Sequence, residues 1–345
     1  MVQTSRISSR HLGLDFAKFL CAFMVVSIHT PYFGNEYLEP LARFAVPVFF
    51  MITGYFYSSV QQKSREHIQL RKAVVLFLSS NLLFLIWKIV LCVVAGESFP
   101  DLVHSIFNFA TWIKFLFFSE SILSGHLWYL GALSYVLVII LVFDKYSSRE
   151  KLYKFIPILL LINILVGNYS IILFGKRLPL LLTRNFLFCG LPFFLLGDAI
   201  SRKQTTRSNA QLFAIAIISA FITLAENVVF LKIEARSNAD CFFATPFLAY
   251  SLFMLFLKNG TTFQHPLLTK VAQLGRCTAT TTYIIHPIAI HIVGKIVNAI
   301  GRYVPCMTSV WNYTAPLLVF ITCTLFACCF DTVRRNIRRT KNGEK

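Results

Sequence analysis

The feature that most constrains this chain is an apolar run from Leu14 to Phe33, LDFAKFLCAFMVVSIHTPYF, which contains three ionisable side chains. About 20 apolar residues are enough for a helix to span a bilayer. An ionisable side chain inside the hydrocarbon costs several kcal/mol, so such groups are usually retained for function. The run therefore predicts a first transmembrane helix in which Asp15, Lys18 and His29 serve binding or chemistry.

The spacing of two of these groups points to a shared helix face. Lys18 and His29 are separated by about three helical turns, so their side chains lie on one face roughly 16 Å apart. We interpret them as a cationic group near one membrane surface and a proton-transfer group toward the other. Thr30 and Pro31 follow, and the proline predicts that the helix bends or ends there. A histidine hydrogen-bonded at the interface would leave the same pattern.

Composition excludes a soluble fold. The 345 residues are 56% hydrophobic, and their mean hydropathy of +0.66 is typical of a polytopic membrane protein. The net charge of +18 comes from basic clusters between apolar runs, as in cytoplasmic loops, so no nucleic-acid partner is expected. The nine cysteines show no metal-ligand spacing and are interpreted as small buried hydrophobes, so no metal is expected.

The apolar runs predict an all-α fold, a polytopic transmembrane helix bundle that forms one domain over residues 1–345. No small-residue cleavage site follows the first run, so it is interpreted as a span rather than a removed signal peptide. The region 97–125 includes LVHSIFNFATWIKFLFF, whose polar residues favour an interfacial or re-entrant helix. The ten predicted spans are 14–34, 41–60, 73–95, 126–143, 155–174, 185–200, 210–231, 241–257, 278–299 and 313–330.

The distribution of basic residues orients this bundle. With the N-terminus inside, the inner segments hold 22 Lys and Arg residues and the outer segments hold 8. Such an asymmetry predicts ten spans with both termini cytoplasmic. An eleventh span at 102–118 would place the basic loops 145–154 and 202–207 outside, which is why we reject it.

Polar residues cluster at the predicted outer ends of the first, second and fourth spans. Arg43 precedes the second span, either as a plain rim charge or as a contact for a substrate arriving from outside. His126 and Trp128 open the fourth span in GHLWYLGAL, at the same predicted level as His29. A second histidine at this level favours a shared outer cavity over a simple aromatic belt.

The ninth and seventh spans contain polar groups at mid-membrane depth. Tyr283, His286 and Pro287 lie in TATTTYIIHPIAIH, where a proline leaves a backbone carbonyl available for other hydrogen bonds. Glu226 in the seventh span is a further buried charge, whose partner could be a histidine or Lys295.

Five segments in order resemble the integral-membrane acyltransferase family 3, which includes bacterial O-acetyltransferases of lipopolysaccharide and other surface glycans. They are DFAKFLCAFMVVSIH, PVFFMITGY, HLWYL, GLPFFLLG and TYIIHP, spread over residues 15–287. The resemblance implies a bundle of ten to eleven spans in the cell membrane. It implies transfer of an acyl group, usually from cytosolic acetyl-CoA, to a hydroxyl of a glycan or lipid-linked saccharide at the outer face.

The resemblance also implies roles for individual residues. The family has a basic residue, commonly arginine, separated by ten residues from an essential histidine; Lys18 and His29 fit this spacing with lysine instead. Lysine attracts phosphate as a point charge, without the fork of arginine. His29 is expected to act as the general base or as the first proton relay, and Tyr283, Trp128 or His126 is expected to supply donors to the oxyanion. Donor binding is implied for Lys18, Arg71 and Lys72, and the further candidates are Asp15, Arg43, Glu226 and His286.

Three points stay open at the level of sequence. Acyl-CoA would be a co-substrate, with no permanently bound cofactor, and either direct transfer or a covalent acyl-histidine fits. A transporter or flippase of a lipid-linked substrate would use the same buried charges, although the halves of the chain show no paired, broken helices. A structural or sensor protein is the third reading, in which polar groups only hold helices together.

Overall fold

The computed structural model describes residues 11–203, 206–236, 240–260, 265–304 and 306–341. All regular structure in these ranges is helical, which confirms the all-α prediction. Short 3₁₀ segments lie at Gly125–Leu127, Arg149–Phe155 and Leu180–Leu182, and a π-helical segment at Phe186–Gly190. The α-helices are α1 (Leu12–His29), α2 (Asn35–Ala42), α3 (Ala45–Gln61), α4 (Glu66–Ala95), α5 (Phe99–Phe107), α6 (Phe109–Phe118), α7 (Trp128–Tyr146), α8 (Ile156–Val166), α9 (Ser170–Phe174), α10 (Leu191–Arg202), α11 (Asn209–Lys232), α12 (Thr245–Lys258), α13 (Pro266–Gly301) and α14 (Cys306–Lys341).

Seven helical stretches of the described chain are long and apolar enough to cross a membrane, so this is a multi-pass membrane protein. The other three predicted spans are shorter or broken. The region 155–174 is divided into α8 and α9, 185–200 is the π-helical segment followed by α10 of 12 residues, and 241–257 is α12 of 14 residues. The count of ten and the cytoplasmic termini therefore stay predictions.

Side-chain amides explain why two of these regions are interrupted. The buried amide of Asn163 donates to the carbonyls of Thr183, at 2.9 Å, and Phe188, at 3.1 Å. The Asn185 side chain accepts from the backbone N–H groups that begin the π-helical segment. Backbone groups outside regular helix must be paired when they are buried. These asparagines provide that pairing at the break between α9 and α10.

The region 97–125 forms two short helices rather than one. Ser98 caps α5, and Asn108 caps α6 by accepting from the N–H of Ala110. With 9 and 10 residues, neither helix approaches the roughly 20 residues that a span requires. The interfacial or re-entrant interpretation is compatible with this division.

The chain divides into two compact units, Met1–Asn35 with Ser208–Ala216 and Tyr250–Lys345, and Glu36–Arg207 with Ile217–Ala249. In the first unit, α1 and α13 run parallel, because Gly275 lies against the backbone of Asp15 and His286 lies beside His29. A Cβ at Gly275 would be 2.2 Å from the Asp15 carbonyl oxygen, so only glycine allows this approach. Helix α14 runs antiparallel to α1, because the ring of Phe320 lies 5.0 Å from that of Phe19 while Tyr313 lies beside Phe33, just beyond the end of α1.

In the second unit, α3 and α10 run parallel and in close contact. A Cβ at Gly54 would lie 1.9 Å from the carbonyl oxygen of Phe194, and four residues further along both helices Ser58 donates to Asp198 at 3.0 Å. Small residues at such positions let helix backbones approach closely inside a membrane. The core around this seam also includes Tyr57 and residues of α7.

Helix directions within each unit agree with alternating spans. Helices α1 and α13, the predicted first and ninth spans, are parallel, and so are α3 and α10, the predicted second and sixth. Helices α4 and α7 are antiparallel, because Phe84 contacts His126 while Phe77 lies beside Gly131. A crossing by 102–118 would have made α4 and α7 parallel, so their directions agree with the prediction that this segment does not cross.

Candidate active site

His29 is the last residue of α1, as its neighbours dictate. Pro31 disfavours helical geometry for Thr30, which is extended with φ −100° and ψ 125°. The buried Thr30 hydroxyl donates to the carbonyl of Val26 at 2.7 Å and so pairs one carbonyl of the last turn. The His29 side chain itself is exposed. The prediction that the helix ends at Thr30-Pro31 is confirmed.

His286 is fully buried in α13, and the proline after it determines how the ring is held. Pro287 has no N–H, so the carbonyl of Tyr283, four residues earlier, loses its helical donor. The Nδ1 atom of His286 lies 2.7 Å from that carbonyl oxygen. A carbonyl can only accept, so Nδ1 carries the hydrogen and the lone pair of the neutral ring is on Nε2.

The two histidines meet in the first unit. Their ring centroids are 5.0 Å apart with planes inclined by 32°. Tyr283 is also buried, and its ring centroid lies 6.1 Å from that of His286. The sequence predicted these three residues as separate candidates on two spans, and the structure brings them together at the end of α1.

Lys18 and Asp15 form an ion pair one turn into α1. Lys18 Nζ lies 2.8 Å from Asp15 Oδ1, and about a quarter of the lysine side chain is exposed. Because α1 is unbroken between Lys18 and His29, the predicted spacing of about 16 Å on one face applies. The Asp15 carboxylate offsets part of the positive charge of Lys18, to which the sequence analysis assigned phosphate binding.

In the second unit, His126 and Trp128 are buried next to one another at the start of α7. Ser124 Oγ lies 2.8 Å from Nδ1 of His126, and the ring of Phe84 packs against the imidazole edge to face. The Trp128 ring contacts Phe50. Both side chains are therefore packed against residues of the second unit.

Arg43 belongs to a chain of alternating charges in the second unit. It is ion-paired with Glu39 and Asp240; Arg184 donates to Asp240 at 2.6 Å, and Arg236 donates to Glu39 at 2.7 Å. Burial raises the pKa of Asp240, but the two arginines beside it outweigh this and hold the pKa below its ordinary value. Arg43 is therefore tied into the protein, which favours a structural part in the rim.

A second charged cluster surrounds Arg149, which is only 2% exposed, and the sequence analysis missed it. Its guanidinium donates to Asp198, Asp144, Gln61 and Ser58. Burial lowers the pKa of Arg149, but hydrogen bonding to Asp198 and the charges of both aspartates raise it above its ordinary value. The signal was available in part, because Asp198 directly follows the family-like segment GLPFFLLG.

The other predicted residues lie elsewhere in the second unit. Arg71 and Lys72 are exposed in the first two turns of α4. Glu226 accepts from the backbone N–H of Phe243 at 3.0 and 3.3 Å, a partner that the sequence analysis did not anticipate when it suggested a histidine or Lys295.

Comparisons with known proteins give a family. A family model described as "Acyltransferase domain" matches residues 11–332. Among curated proteins, the chain is similar to an amino-acid racemase of Enterococcus faecalis, with 24% identity over 357 residues that cover 95% of this chain and 47% of that protein. The chain thus spans about half the length of the curated relative it matches. No solved structure matches the chain.

Proposed function

Because the chain belongs to the integral-membrane acyltransferase family 3, matched over residues 11–332, we propose that it transfers an acyl group from a cytosolic acyl-CoA to a hydroxyl of a surface or cell-envelope glycan. The acyl group is acetyl by default, and the membrane is the cell membrane. The family membership and the membrane-spanning helices support the reaction class. Donor, acceptor and catalytic residues are our proposal.

The observation that carries the proposal is the placement of His29. An exposed imidazole ends an apolar helix of 18 residues and lies 5.0 Å, between ring centroids, from a buried second histidine. Transfer to a hydroxyl needs a base for the hydroxyl proton, and histidine exchanges protons near neutral pH.

In the proposed reaction, His29 accepts the proton of the acceptor hydroxyl while the oxygen attacks the thioester carbonyl. The oxyanion that forms needs hydrogen-bond donors, and we assign this role to Tyr283, which lies in the same unit as His29. The same role for His126 and Trp128, which lie in the second unit, stays a prediction from the sequence. Collapse of the intermediate expels the CoA thiolate, which takes the proton from His29. A covalent acyl-His29 intermediate is the alternative route.

The donor end is assigned to basic groups on the predicted cytoplasmic side. Lys18 in the first unit is partly exposed and is proposed to contact the phosphates of CoA. The same role for Arg71 and Lys72, which are exposed in the second unit, stays a prediction from the sequence. The pairing of Lys18 with Asp15 supports a shared rather than a dominant role for Lys18.

The name of the enterococcal relative does not extend to this chain. The match covers only 47% of that protein, so the activity in its name is not assigned to the shared region. A transporter or flippase of a lipid-linked substrate is kept as the alternative outcome of the experiment below.

The test combines purified protein with cell-envelope chemistry. We expect the protein to release free thiol from acetyl-CoA, and mass spectrometry to find an acyl group on the envelope glycan only when the protein is present. His29→Ala should lower transfer by about 10²- to 10⁴-fold, since it removes the general base. His265→Ala, which changes an exposed histidine before α13, should stay within about twofold of the wild type.

Two results would contradict the proposal. Unchanged acylation in cells with normal levels of the His29→Ala protein would remove His29 as the base. Absence of thiol release with any acceptor, together with uptake of a lipid-linked substrate by vesicles, would indicate transport instead.

A further inference from the structure

We propose that the connection between α6 and α7, residues 119–125, lines a water-filled recess open to the predicted outer side, in which the Glu120 carboxylate accepts hydrogen bonds from hydroxyl groups of the acceptor saccharide. The identity of this ligand rests on the proposed function, and the recess rests on the geometry of the second unit. Three features of the connection support it: its depth beside α4 and α7, its return toward the end from which α6 came, and the charge of Glu120.

The C-terminal end of α6 lies well inside the seam between α4 and α7. The Tyr135 hydroxyl of α7 donates to the carbonyl of Leu116, and a Cβ at Gly131 would lie 2.8 Å from the carbonyl oxygen of Ser119. Gly131 is six residues into the stretch Gly125–Tyr146, which is long enough to cross a membrane. At 1.5 Å per residue, Ser119 therefore lies about 9 Å below the predicted outer end of that span.

From this depth the chain returns to the end from which it came. Ser119 ends α6 in the left-handed region, with φ 57°, and the Ser121 hydroxyl then donates at 2.7 Å to Asn81, at the middle of α4. His126, which follows the connection, contacts Phe84, one turn closer to the C-terminal end of α4. Because α4 runs toward the end where α5 begins, α6 and the connection form a re-entrant segment that enters and leaves on one side.

The connection is polar and is not fully covered by protein. Its sequence, SESILSG, contains three serines and Glu120, which is partly exposed. A carboxylate in hydrocarbon costs several kcal/mol, and nonhelical backbone at membrane depth is tolerated only where it is buried in protein or borders water. The exposed part of the connection therefore borders water, which has to enter from the predicted outer side.

The Glu120 side chain has hydrogen-bonding capacity that the protein does not use. Its backbone N–H donates to the carbonyl of Lys114 at 3.3 Å, but its carboxylate receives no hydrogen bond and forms no ion pair from the described part of the chain. The hydroxyls of Ser121 and Ser124, in contrast, bond to Asn81 and to the His126 ring. A carboxylate has about four lone-pair sites for hydroxyl donors. A saccharide that arrives from the outer side carries such donors.

The recess is tested in intact cells by the reaction of single thiols with a negatively charged, membrane-impermeant methanethiosulfonate. Glu120→Cys should react at least about tenfold faster than Leu82→Cys, because a thiol ionises in water and not in hydrocarbon. Leu82 follows Asn81 on α4 and is 57% exposed, so it is expected to face lipid at a similar depth. Both proteins carry serine at the native cysteines that are at least partly exposed, Cys92, Cys277, Cys306, Cys328 and Cys329. Equal rates, or reaction of Glu120→Cys only after permeabilisation, would overturn the inference.

The contact with saccharide is tested by kinetics with acetyl-CoA as donor and the isolated envelope glycan as acceptor. Glu120→Gln should raise KM for the glycan at least about fivefold, since hydrogen bonds to a charged group are about twice as strong as neutral ones. KM for acetyl-CoA should stay within about twofold. Glu120→Asp keeps the charge and should lie between the wild type and Glu120→Gln, and Glu97→Gln, which changes an exposed acid after α4, should resemble the wild type. An unchanged KM for the glycan, or equal increases for both substrates, would contradict the assignment of Glu120.

A protection experiment covers failure to fold and failure of the proposed function. Saturating envelope glycan should slow the labelling of Glu120→Cys at least about threefold, and this readout needs neither catalysis nor the Glu120→Gln protein. An unchanged labelling rate would show that the recess does not bind the saccharide. If the wild type consumes no acetyl-CoA, the proposed function fails, and the labelling rates still decide whether the recess exists and what enters it.

Discussion

At the scale of residues, the guanidinium of Arg149 shows how this protein tolerates charge inside its second unit. It is 2% exposed, and its donors reach Ser58 and Gln61 on α3, Asp144 on α7 and Asp198 on α10. The ring of Tyr57 lies 4.9 Å from the guanidinium carbon. A buried charge is stable only when it is paired and its hydrogen bonds are satisfied. Arg149 therefore ties three helices together and leaves no donor for a ligand.

Replacement of Arg149 by leucine should destabilise the protein by about 3–5 kcal/mol, because the fully buried Asp198 loses its principal cation. Arg202→Leu is the matched control: Arg202 also contacts Asp198, at 3.3 Å, but is a third exposed and should cost at most about 1 kcal/mol. Thermal denaturation of the detergent-purified proteins measures both. A melting temperature for Arg149→Leu as high as that of Arg202→Leu would contradict the structural role.

At the scale of elements, α13 determines the geometry of the histidine pair. Gly275 allows the backbone of α1 to approach near Asp15, and eleven residues later His286 lies beside the end of α1. The two contacts fix both the distance and the register of the helices. Rotation or displacement of α13 would separate the rings even if every catalytic side chain were retained.

Gly275→Ala should therefore reduce both stability and transfer. Its Cβ would lie 2.2 Å from the Asp15 carbonyl oxygen, a backbone atom that cannot move without moving α1, and such overpacking costs about 1–3 kcal/mol. Gly294→Ala on the same helix is the control, since its Cβ would meet Trp311 at an ordinary 3.9 Å. Melting temperature and thiol release from acetyl-CoA are measured together. Equal values for the two variants would show that the seam is not tight.

At the scale of the whole molecule, the directions of helices within each unit support alternating spans. The antiparallel contact of α4 with α7 indicates that α5 and α6 do not cross between them. The prediction of ten spans requires the short α8, α10 and α12 to be completed as crossings by their irregular neighbours, such as the π-helical segment. Nonhelical backbone at membrane depth is tolerated where protein groups pair it.

Ten spans with cytoplasmic termini predict the sides of two loops. Lys176→Cys, between the fifth and sixth predicted spans, should react with a membrane-impermeant maleimide in intact cells. Lys145→Cys, between the fourth and fifth, should react only after permeabilisation, because a cytoplasmic thiol is shielded by the membrane. Both positions are exposed, and the exposed native Cys306 and Cys329 are first changed to serine. Labelling of Lys145→Cys in intact cells would show that this loop lies outside, which contradicts the predicted topology.

The sequence by itself determined the features that depend on local chemistry. Apolar runs dictated an all-helical membrane protein, Pro31 dictated the end of α1 at His29, and Pro287 dictated a free carbonyl at Tyr283. Each follows from hydropathy or from the missing N–H of proline, which act within a few residues of the chain. The ordered segments that resemble the acyltransferase family are also read directly from the sequence, and the family match confirmed the resemblance.

Only the tertiary structure decided which distant groups meet. His29 and His286 stand 257 positions apart in the numbering, Arg43 and Asp240 are 197 apart, and Arg149 and Asp198 are 49 apart. Hydropathy also could not reveal that Asn163 would pair carbonyls at the break before α10. Such contacts depend on helix register and packing, which are set by close approaches such as that at Gly275. The hydrophobic periodicity of one helix does not identify the helix that packs against it.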